Sequence, residues 1–305
     1  VIKHDGEKVL SIKGDKDDPF SQGYICPKAT ALQDLHEDPD RLRHPIERTA
    51  DGWKKISWDE ALDKVAAGIQ SVQKKYGQNA FGVYLGNPNV HNLGGMLTIK
   101  HLLGSIKTRS RFSATSIDQL PHHIISMHLF GHMLRIPVPD VNRTQHMLII
   151  GGNPLASNGS IMTAANMRQK LKDIKDRDGK VVVIDPRRTE TADIASEHHF
   201  IRPATDVLLL LAMLNEIYAQ GYAQKARISN KAADLAPEIE RIADLATGYS
   251  AESVADITCI AADEIKRLVE EFCEAETSVC YSRMGVSVQE FGLLRQYLVM
   301  IINIV

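Results

Sequence analysis

The chain lacks the features that would assign it at once to a membrane-spanning or nucleic-acid-binding class. No apolar run approaches the ~20 residues that a membrane-spanning helix needs, and VLLLLAML at 207–214 is the longest candidate. The 36 basic and 38 acidic residues give a formal net charge of −2, without the basic surplus that nucleic-acid binding requires. The sequence therefore predicts no direct membrane span and no nucleic-acid partner.

Cysteine is scarce, and its spacing excludes a zinc or disulfide framework. The four cysteines form no CxxC pair, and a disulfide scaffold is implausible in a chain of 305 residues. Cys259, Cys273 and Cys280 lie in apolar periodic stretches, so we expect them to be buried small hydrophobes. The first nine residues also lack the pattern of a signal peptide, and the compartment stays open, with the cytoplasm preferred to the periplasm.

Alternating strand and helix patterns indicate an α/β fold. Ser57 and Glu60 form a capping box that begins a helix with one apolar face, which ends near Gly77. HMLIIGG at 146–152 and KVVVID at 180–185 are continuous apolar runs, typical of parallel strands covered on both faces. HHFIRP at 198–203 predicts a third strand, and the intervening segments have the length of helices, the first over about 160–176. The sequence predicts a doubly wound, Rossmann-like parallel sheet.

The order of these elements predicts one domain inserted in another. We expect residues 145–275 to form the parallel-sheet domain and to include a long helical stretch over 234–275. Residues 50–144 and 276–305 should pack together as a second α/β domain. Residues 1–49 form a short β-rich segment with many turn signals.

IIGGNPLASNGS at 149–160 carries the first candidate ligand site. Glycines after a buried strand let backbone amides approach an anion, and the following helix N-terminus adds about half a positive charge. A tight turn without a ligand is the alternative. The glycine spacing differs from the GxGxxG pattern of NAD enzymes.

The second and third candidate ligand sites lie in VVVIDPRRTETADIA at 181–195 and IRPATDVLLL at 201–210. An acidic residue that ends a parallel strand, here Asp185, commonly accepts hydrogen bonds from a ribose or a base edge. The alternatives are a solvated loop around Arg187 and Arg188, and helix capping by Asp185. For Asp206, helix capping is a sufficient explanation.

Taken in order with GYICPKA at 23–29 and YSRMGVSVQ at 281–289, these motifs resemble the molybdopterin oxidoreductases. That family includes dimethyl sulfoxide reductase, formate dehydrogenase and nitrate reductase, and it binds bis(molybdopterin guanine dinucleotide) with molybdenum or tungsten. The resemblance covers about 20–305, although Ala204 stands where glycine is usual. It implies cofactor contacts at Gly152, Asn153, Ser157, Asn158, Asp185, Arg187, Arg188, Thr189, Pro203, Thr205, Asp206, Arg283 and Gly285.

The resemblance also implies a [4Fe–4S] cluster in the full-length protein. Cys26 corresponds to the last of four cluster thiolates, and Lys28 to a lysine between cluster and pterin that favours electron transfer. The three earlier cysteines are not in this sequence, so we expect the chain to be an inactive segment of a longer enzyme. Residues 1–49 would be the remnant of the cluster domain, 145–275 the guanine dinucleotide domain, and the remainder an incomplete catalytic domain.

Asp118 is the candidate protein ligand of the metal. Family members use Cys, selenocysteine, Ser or Asp in the loop before a helix that ends in Phe-Gly, here Phe130–Gly131. Asp118 falls at that position and is a hard oxygen donor, and Ser116 is the nearest substitute. The alternatives are that the metal has no protein ligand and that Asp118 caps the helix, although Pro121 removes one capping N–H.

Four histidines surround the same helix. His128 and His132 are one helical turn apart, but no carboxylate or cysteine completes a HExxH-type zinc site. His122 or His123 could serve near molybdenum as a substrate or proton-relay group, because histidine titrates near neutral pH. Ordinary packed or surface histidines are the remaining interpretation.

These features predict a two-electron oxidoreductase that acts on a small molecule and passes electrons through the cluster, with an electron-transfer iron–sulfur subunit as a possible partner. A catalytically inactive guanine-nucleotide or pterin-binding module and a non-redox hydratase are the alternatives. An NAD dehydrogenase ranks last because the glycine fingerprint is missing. The substrate cannot be read from these residues.

Overall fold

The computed structural model describes residues 1–162, 164–225 and 236–305. It divides into two compact units, which are described separately. The first comprises Val1–Lys13 and Pro27–Thr115, and the second comprises Gly14–Cys26 and Ser116–Val305. Over these described ranges, no helix combines the length and apolar character needed to cross a membrane.

The first unit is built from short strands and two long helices. Its strands are β1 (Ile2–His4), β2 (Val9–Ile12), β3 (Ile46–Thr49), β4 (Gly52–Lys55), β5 (Val83–Leu85) and β6 (Arg111–Ser113). Its helices are α1 (Pro27–Thr30), α2 (Leu32–Glu37), α3 (Trp58–Tyr76) and α4 (Leu93–Ile106). Strands β1–β2 and β3–β4 are antiparallel pairs, whereas β5 and β6 are parallel and are connected through α4.

The predicted capping of α3 is confirmed. The Ser57 hydroxyl accepts a hydrogen bond from the Glu60 amide at 3.1 Å, and the helix ends before Gly77. No residue of α3 is buried, and Trp58, Leu62 and Val65 are 64%, 60% and 58% exposed. The apolar face that the sequence predicts is therefore presented at the surface.

The second unit contains the predicted parallel sheet. Its strands are β7 (His146–Ile150), β8 (Lys180–Ile184), β9 (Glu197–His199) and β10 (Ser278–Ser282), in the order β10-β7-β8-β9. All three pairings are parallel. Every residue of β7 is buried, which confirms the inference from its continuous apolar run.

Helices cover both faces of this sheet. They are α5 (Leu120–Phe130), α6 (Pro154–Ser157), α7 (Met167–Asp176), α8 (Glu190–Ile194), α9 (Asp206–Ala219), α10 (Ala236–Ala246), α11 (Ala251–Thr258), α12 (Ala262–Glu274), α13 (Met284–Ser287) and α14 (Gly292–Ile302). Leu148 and Ile150 pack with α9, α12 and α14 in one apolar cluster, whereas Met147 and Ile149 pack with α7 in another. The alternation of β7 side chains thus produces a three-layer α/β unit.

The predicted division into domains is wrong for residues 276–305. They supply β10, which pairs with β7 in register Ser278↔His146, and α14, which joins the apolar cluster of α9. Residues 116–144 also belong to the second unit, not to the one that contains α3. The reason is that both faces of β10 pack in the second unit, with Cys280 in the cluster of α9 and Tyr281 in the cluster of α7.

Two helix predictions also need correction. The helix predicted from about residue 160 begins at Met167, because Asn166 caps it by accepting from the Gln169 amide. The long helical stretch is three helices, α10 to α12, while residues 234 and 235 lie outside the described residues. The Ser250 N-cap and the left-handed Cys259 separate them.

The cysteine prediction holds in part. Cys280 is buried, and burial raises the pKa of its thiol to about 12. Cys273 is half-buried against the apolar cluster of α9. The prediction is wrong for Cys259, which is exposed, because it ends α11 with φ 64° and does not lie within a helix face.

Candidate functional site

The strand order of the sheet reverses at β7, the place where open α/β sheets form a ligand-binding crevice. The chain passes from β7 to β8 and β9 in one direction and then returns to β10 on the other side of β7. The connection after β7 leads to α7 on one face, and the connection after β10 leads to α14 on the other. Ligands of open α/β sheets bind at such a reversal, outside the carboxyl ends of the strands.

Two glycines bring the loops after β7 and β10 into backbone contact. The Gly285 amide donates to the Gly151 carbonyl at 3.0 Å, and Gly151 has a left-handed φ of 57°. A Cβ on Gly151 would lie 2.9 Å from the Val286 nitrogen, and one on Gly285 would lie 2.8 Å from the Gly151 oxygen. These glycines are therefore required by loop packing itself, whatever a ligand adds.

Arg283 and Asp118 form an ion pair at the end of β10. Arg283 Nη1 lies 3.1 Å from Asp118 Oδ1, and the side chains are 11% and 36% exposed. Asp118 is not the helix cap: Gln119 occupies that position before α5 and makes no side-chain capping bond. The sequence therefore located both residues, but not their pairing, which joins segments far apart in the chain.

His122 lies beside this pair and is buried. Its Nε2 is 3.4 Å from the Ser282 carbonyl, and its Nδ1 is 3.4 Å from the Ser287 hydroxyl. Burial, assisted by the positive charge of Arg283, lowers the pKa of His122 to about 4, so the ring is neutral at pH 7. The structure gives His122 the role of connecting α5 to β10 and α13, and proton relay stays a prediction.

The other histidines do not assemble a metal site in the described part of the chain. His123 is buried, whereas His128 and His132 are exposed. The group with metal-ligand spacing among the described residues is Glu197, His199 and Glu264, and Lys180 and Arg267 already form ion pairs with it. The zinc alternative receives no support from this arrangement.

Asn153 fastens the loop after β7 to the loop after β8. Its Nδ2 donates to Glu190 Oε2 at 2.6 Å, and its Oδ1 accepts from the Thr191 hydroxyl at 2.7 Å. The Thr191 oxygen in turn accepts from the Leu155 amide at 3.2 Å. Gly152 is buried beside this network. The Asn153 side chain therefore holds two loops of the carboxyl edge together.

Tyr24 connects the segment that contains Cys26 to the same loop. Its hydroxyl donates to Asn158 Oδ1, and Asn158 has the left-handed φ of 55° that ends α6. Cys26 is half-buried, and no group with metal-ligand spacing in the described residues includes it. Sequence reasoning missed Tyr24, because nothing local relates it to a loop 134 residues away. Ser157 and Lys28 are exposed.

The loop after β8 is organised by its own side chains. Asp185 Oδ1 accepts from the Arg187 amide at 2.8 Å, and Thr189 caps α8 by accepting from the Ala192 amide at 3.1 Å. The Arg187 and Arg188 side chains are 66% and 64% exposed, and Arg188 pairs with Asp193 at 2.7 Å. Two cationic side chains thus stand at the surface beside a half-buried carboxylate.

The turn before α9 places a buried carboxylate near a buried guanidinium group. Pro203 is exposed, Thr205 donates to the Arg202 carbonyl at 2.7 Å, and Ala204 has a left-handed φ of 71°. Asp206 is 3% exposed, and burial raises the pKa of its carboxyl group. Arg295 of α14 is fully buried and donates to the Ala204 carbonyl at 2.6 Å. Arg295 escaped sequence analysis because it lies in an apolar helix pattern.

A family model supports the assignment made from the motifs. The model described as molybdopterin oxidoreductase matches residues 41–286. The chain belongs to this family. The resemblance is thereby confirmed, and the family implies a molybdenum or tungsten pterin cofactor.

Curated relatives span several activities. The chain is 26% identical to formate dehydrogenase H of Escherichia coli (strain K12) over 275 residues, which are 88% of this chain and 37% of the relative. It is 27% identical to acetylene hydratase of Syntrophotalea acetylenica over 254 residues, which are 80% of this chain and 32% of the relative. It is 26% identical to nitrate reductase of Symbiobacterium thermophilum over 276 residues, which are 87% of this chain and 35% of the relative.

A solved structure supports the fold. Acetylene hydratase from Pelobacter acetylenicus superimposes with a TM-score of 0.74 at 21% identity, covering 100% of this chain and 41% of that one. The mixed α/β prediction with a parallel sheet is confirmed. The chain spans about a third of the length of the curated relatives it matches.

Proposed function

We propose that this chain forms the guanine-nucleotide-binding core, and part of the metal-facing wall, of a molybdenum-dependent oxidoreductase that uses bis(molybdopterin guanine dinucleotide). The observation that carries the proposal is the ion pair of Arg283 with Asp118 at the reversal of strand order. The cofactor would supply two-electron redox chemistry at the metal, while the protein binds and orients it. The substrate would be a small molecule.

The carboxyl edge of the sheet offers groups that suit a guanine nucleotide. A buried Asp206 oxygen has no hydrogen-bond partner among the described residues, and guanine presents N–H donors that a carboxylate accepts. Arg187 and Arg188 provide exposed guanidinium groups of the kind that bind phosphate. Asp185 would accept from the guanosine, and Gly152, Asn153, Ser157, Asn158, Thr189, Pro203, Thr205 and Gly285 would line the nucleotide.

Asp118 is the proposed protein ligand of the metal, with Ser116 as the substitute. Its carboxylate is half-exposed and lies beside Arg283, after β10. It does not cap α5, because Gln119 occupies the N-cap position. Carboxylate oxygen is a hard donor suited to high-valent molybdenum. Arg283 would balance the carboxylate charge and would also lie near pterin or phosphate.

X-ray absorption on the full-length enzyme tests this ligand. We expect Asp118→Ala to lose one oxygen scatterer from the molybdenum shell together with most activity. The matched control is Ser116→Ala, which should leave the shell intact. An unchanged shell and retained activity in Asp118→Ala would end the assignment.

Calorimetry with GDP tests the nucleotide site on the chain itself, since its loops are all present. Asp185→Ala should weaken binding by about 1–3 kcal/mol, the range for an unpaired polar partner. Asp176→Ala is the control, because Asp176 ends α7 at the opposite edge of the sheet. A folded wild-type chain that binds no GDP would contradict the site.

Electron transfer through a [4Fe–4S] cluster in the full-length enzyme is part of the proposal, with Cys26 as one cluster ligand and Lys28 between cluster and pterin. The contact of Tyr24 with Asn158 supports it, because it holds the segment of Cys26 against the nucleotide loop. An external iron–sulfur subunit would accept the electrons.

A non-redox hydratase is the second candidate function. Acetylene hydratase of Syntrophotalea acetylenica favours it, as a relative 27% identical over 80% of this chain. Dye-coupled redox assays and hydration assays on the full-length enzyme distinguish the two. Metal analysis distinguishes both from a nucleotide-binding module without catalysis, which would hold no molybdenum or tungsten.

A further inference from the structure

Arg295 is a buried charged residue whose burial does not stabilise the fold. Its side chain is 0% exposed in α14, whose neighbouring residues Leu298, Val299 and Ile301 are apolar and buried. Nη2 donates to the Ala204 carbonyl, but Nε and Nη1 have no hydrogen-bond partner among the described residues. Burying a guanidinium costs several kcal/mol unless hydrogen bonds replace those of water. An apolar residue would serve the core of α14 better.

Arg295 acts on the turn that leads into α9. The Ala204 carbonyl that accepts from it belongs to a residue with φ 71°, a conformation that a side chain disfavours. Asp206, two residues later, is 3% exposed and has one buried carboxylate oxygen without a partner. The positive charge of Arg295 lowers the pKa of Asp206, against burial and the charge of Asp185, which raise it.

We propose that Arg295 is a positioning residue for guanine recognition: it holds the Ala204 turn and thereby orients the Asp206 carboxylate toward the base. The inference deepens the proposed function and rests on it. A charged carboxylate accepts two hydrogen bonds from guanine, one from N1–H and one from the 2-amino group. Hypoxanthine, the base of IMP, lacks the 2-amino group. The preference for GMP over IMP therefore measures the hydrogen bond from that amino group to Asp206.

The test measures dissociation constants of GMP and IMP by calorimetry on the whole chain. We expect the wild type to prefer GMP by at least about 10-fold, as one charge-assisted hydrogen bond supplies. Arg295→Met should reduce that preference to about 3-fold or less, and Asp206→Asn should do the same. Arg295→Lys, which keeps the charge, should retain part of it.

Two controls separate positioning from loss of structure. Arg295→Met should still unfold in one cooperative transition, because a methionine of similar length fills the buried space. Arg177→Met is the matched control: Arg177 donates to the Thr144 carbonyl at 2.7 Å and the Val141 carbonyl at 3.0 Å, before β7. The Arg177→Met variant should lower stability and leave the ratio of the GMP and IMP dissociation constants unchanged.

The pH profile gives a second readout. Arg295 and Asp185 are the charged groups acting on Asp206, and Glu290 acts on Arg295. Without the guanidinium, Asp206 should protonate at a higher pH. As the pH is lowered, the GMP affinity of Arg295→Met should therefore begin to fall at a higher pH than that of the wild type. A GMP:IMP ratio and pH midpoint unchanged in Arg295→Met would overturn the inference alone. A folded wild type that binds no guanine nucleotide would overturn the proposed function with it.

Discussion

At the scale of single residues, left-handed backbone positions shape the loops of the carboxyl edge. Gly151, Asn158 and Ala204 all have positive φ, in the loops after β7 and before α9. Only glycine adopts this region without a steric penalty, and asparagine tolerates it better than alanine. Ala204 therefore needs an external restraint, and the hydrogen bond from Arg295 provides one.

Gly151→Ala should destabilise the second unit by about 2–5 kcal/mol. The new Cβ adds a left-handed penalty of about 1–2 kcal/mol, and its 2.9 Å approach to the Val286 nitrogen adds an overpacking penalty of about 1–3 kcal/mol. Urea unfolding measures the loss. Gly221→Ala is the control, since Gly221 has φ 73° but open space around its Cβ position. Equal losses in the two variants would show that close packing at Gly151 is unimportant.

At the scale of elements, side chains complete the edges of the sheet. The Asn303 side chain accepts from the Cys280 amide at 2.9 Å and donates to the Cys280 carbonyl at 2.8 Å, as a neighbouring strand would. On the other side, Arg267 of α12 pairs with Glu197 of β9 at 2.7 Å. At the β10 edge, the backbone groups of Cys280 are therefore not available for pairing with a further strand.

The start of β7 carries a buried histidine that makes stability depend on pH. His146 is 3% exposed, lies edge-on against Phe272, and both ring nitrogens lack hydrogen-bond partners among the described residues. Burial lowers its pKa to about 4. The unfolded chain takes up a proton near pH 6.5, whereas the folded chain does not until about pH 4. Stability is therefore fully present above pH 6.5 and is lost as the pH falls through this window.

His146→Leu should flatten this part of the stability curve. We expect the variant to gain about 1–2 kcal/mol over the wild type between pH 7 and pH 5, as measured by urea unfolding at each pH. His122 shares the same window and remains, so part of the pH dependence should persist. His101→Leu, which removes an exposed imidazole from α4, should follow the wild-type curve. A curve for His146→Leu parallel to the wild type would contradict the burial argument.

At the scale of the whole molecule, the two units differ in how much apolar surface they bury. Helix α9 buries most of its residues in the core of the second unit, while α3 buries none. Local opening is easier where few apolar contacts must be broken. The units should therefore differ in local stability.

Hydrogen exchange followed by mass spectrometry checks this difference. Peptides from α3 should exchange at least about 100-fold faster than peptides from α9, because opening α3 exposes little additional apolar surface. The β7 and β8 peptides, fully covered on both faces, serve as a second slow reference. Similar protection in α3 and α9 would show that α3 is held by interactions other than burial.

The local chemistry of the sequence was enough to predict much of the sheet of the second unit and the start of α3 in the first. Continuous apolar runs identified β7 and β8 as buried parallel strands, since covering both faces leaves no polar alternation. The Ser57 cap identified the start of α3 through a bond between neighbours in sequence. The motif order identified the family, and with it Asp118, Asp185 and Asp206 as candidates.

Tertiary structure decided what joins distant segments. The sequence did not show that β10 pairs with β7, that Gly285 meets Gly151, or that Arg283 pairs with Asp118. Periodicity reports which faces of an element are apolar, but not which partner covers them, because several partners bury the same area equally well. A buried arginine such as Arg295 gains its meaning only from the carbonyl and carboxylate that folding brings beside it.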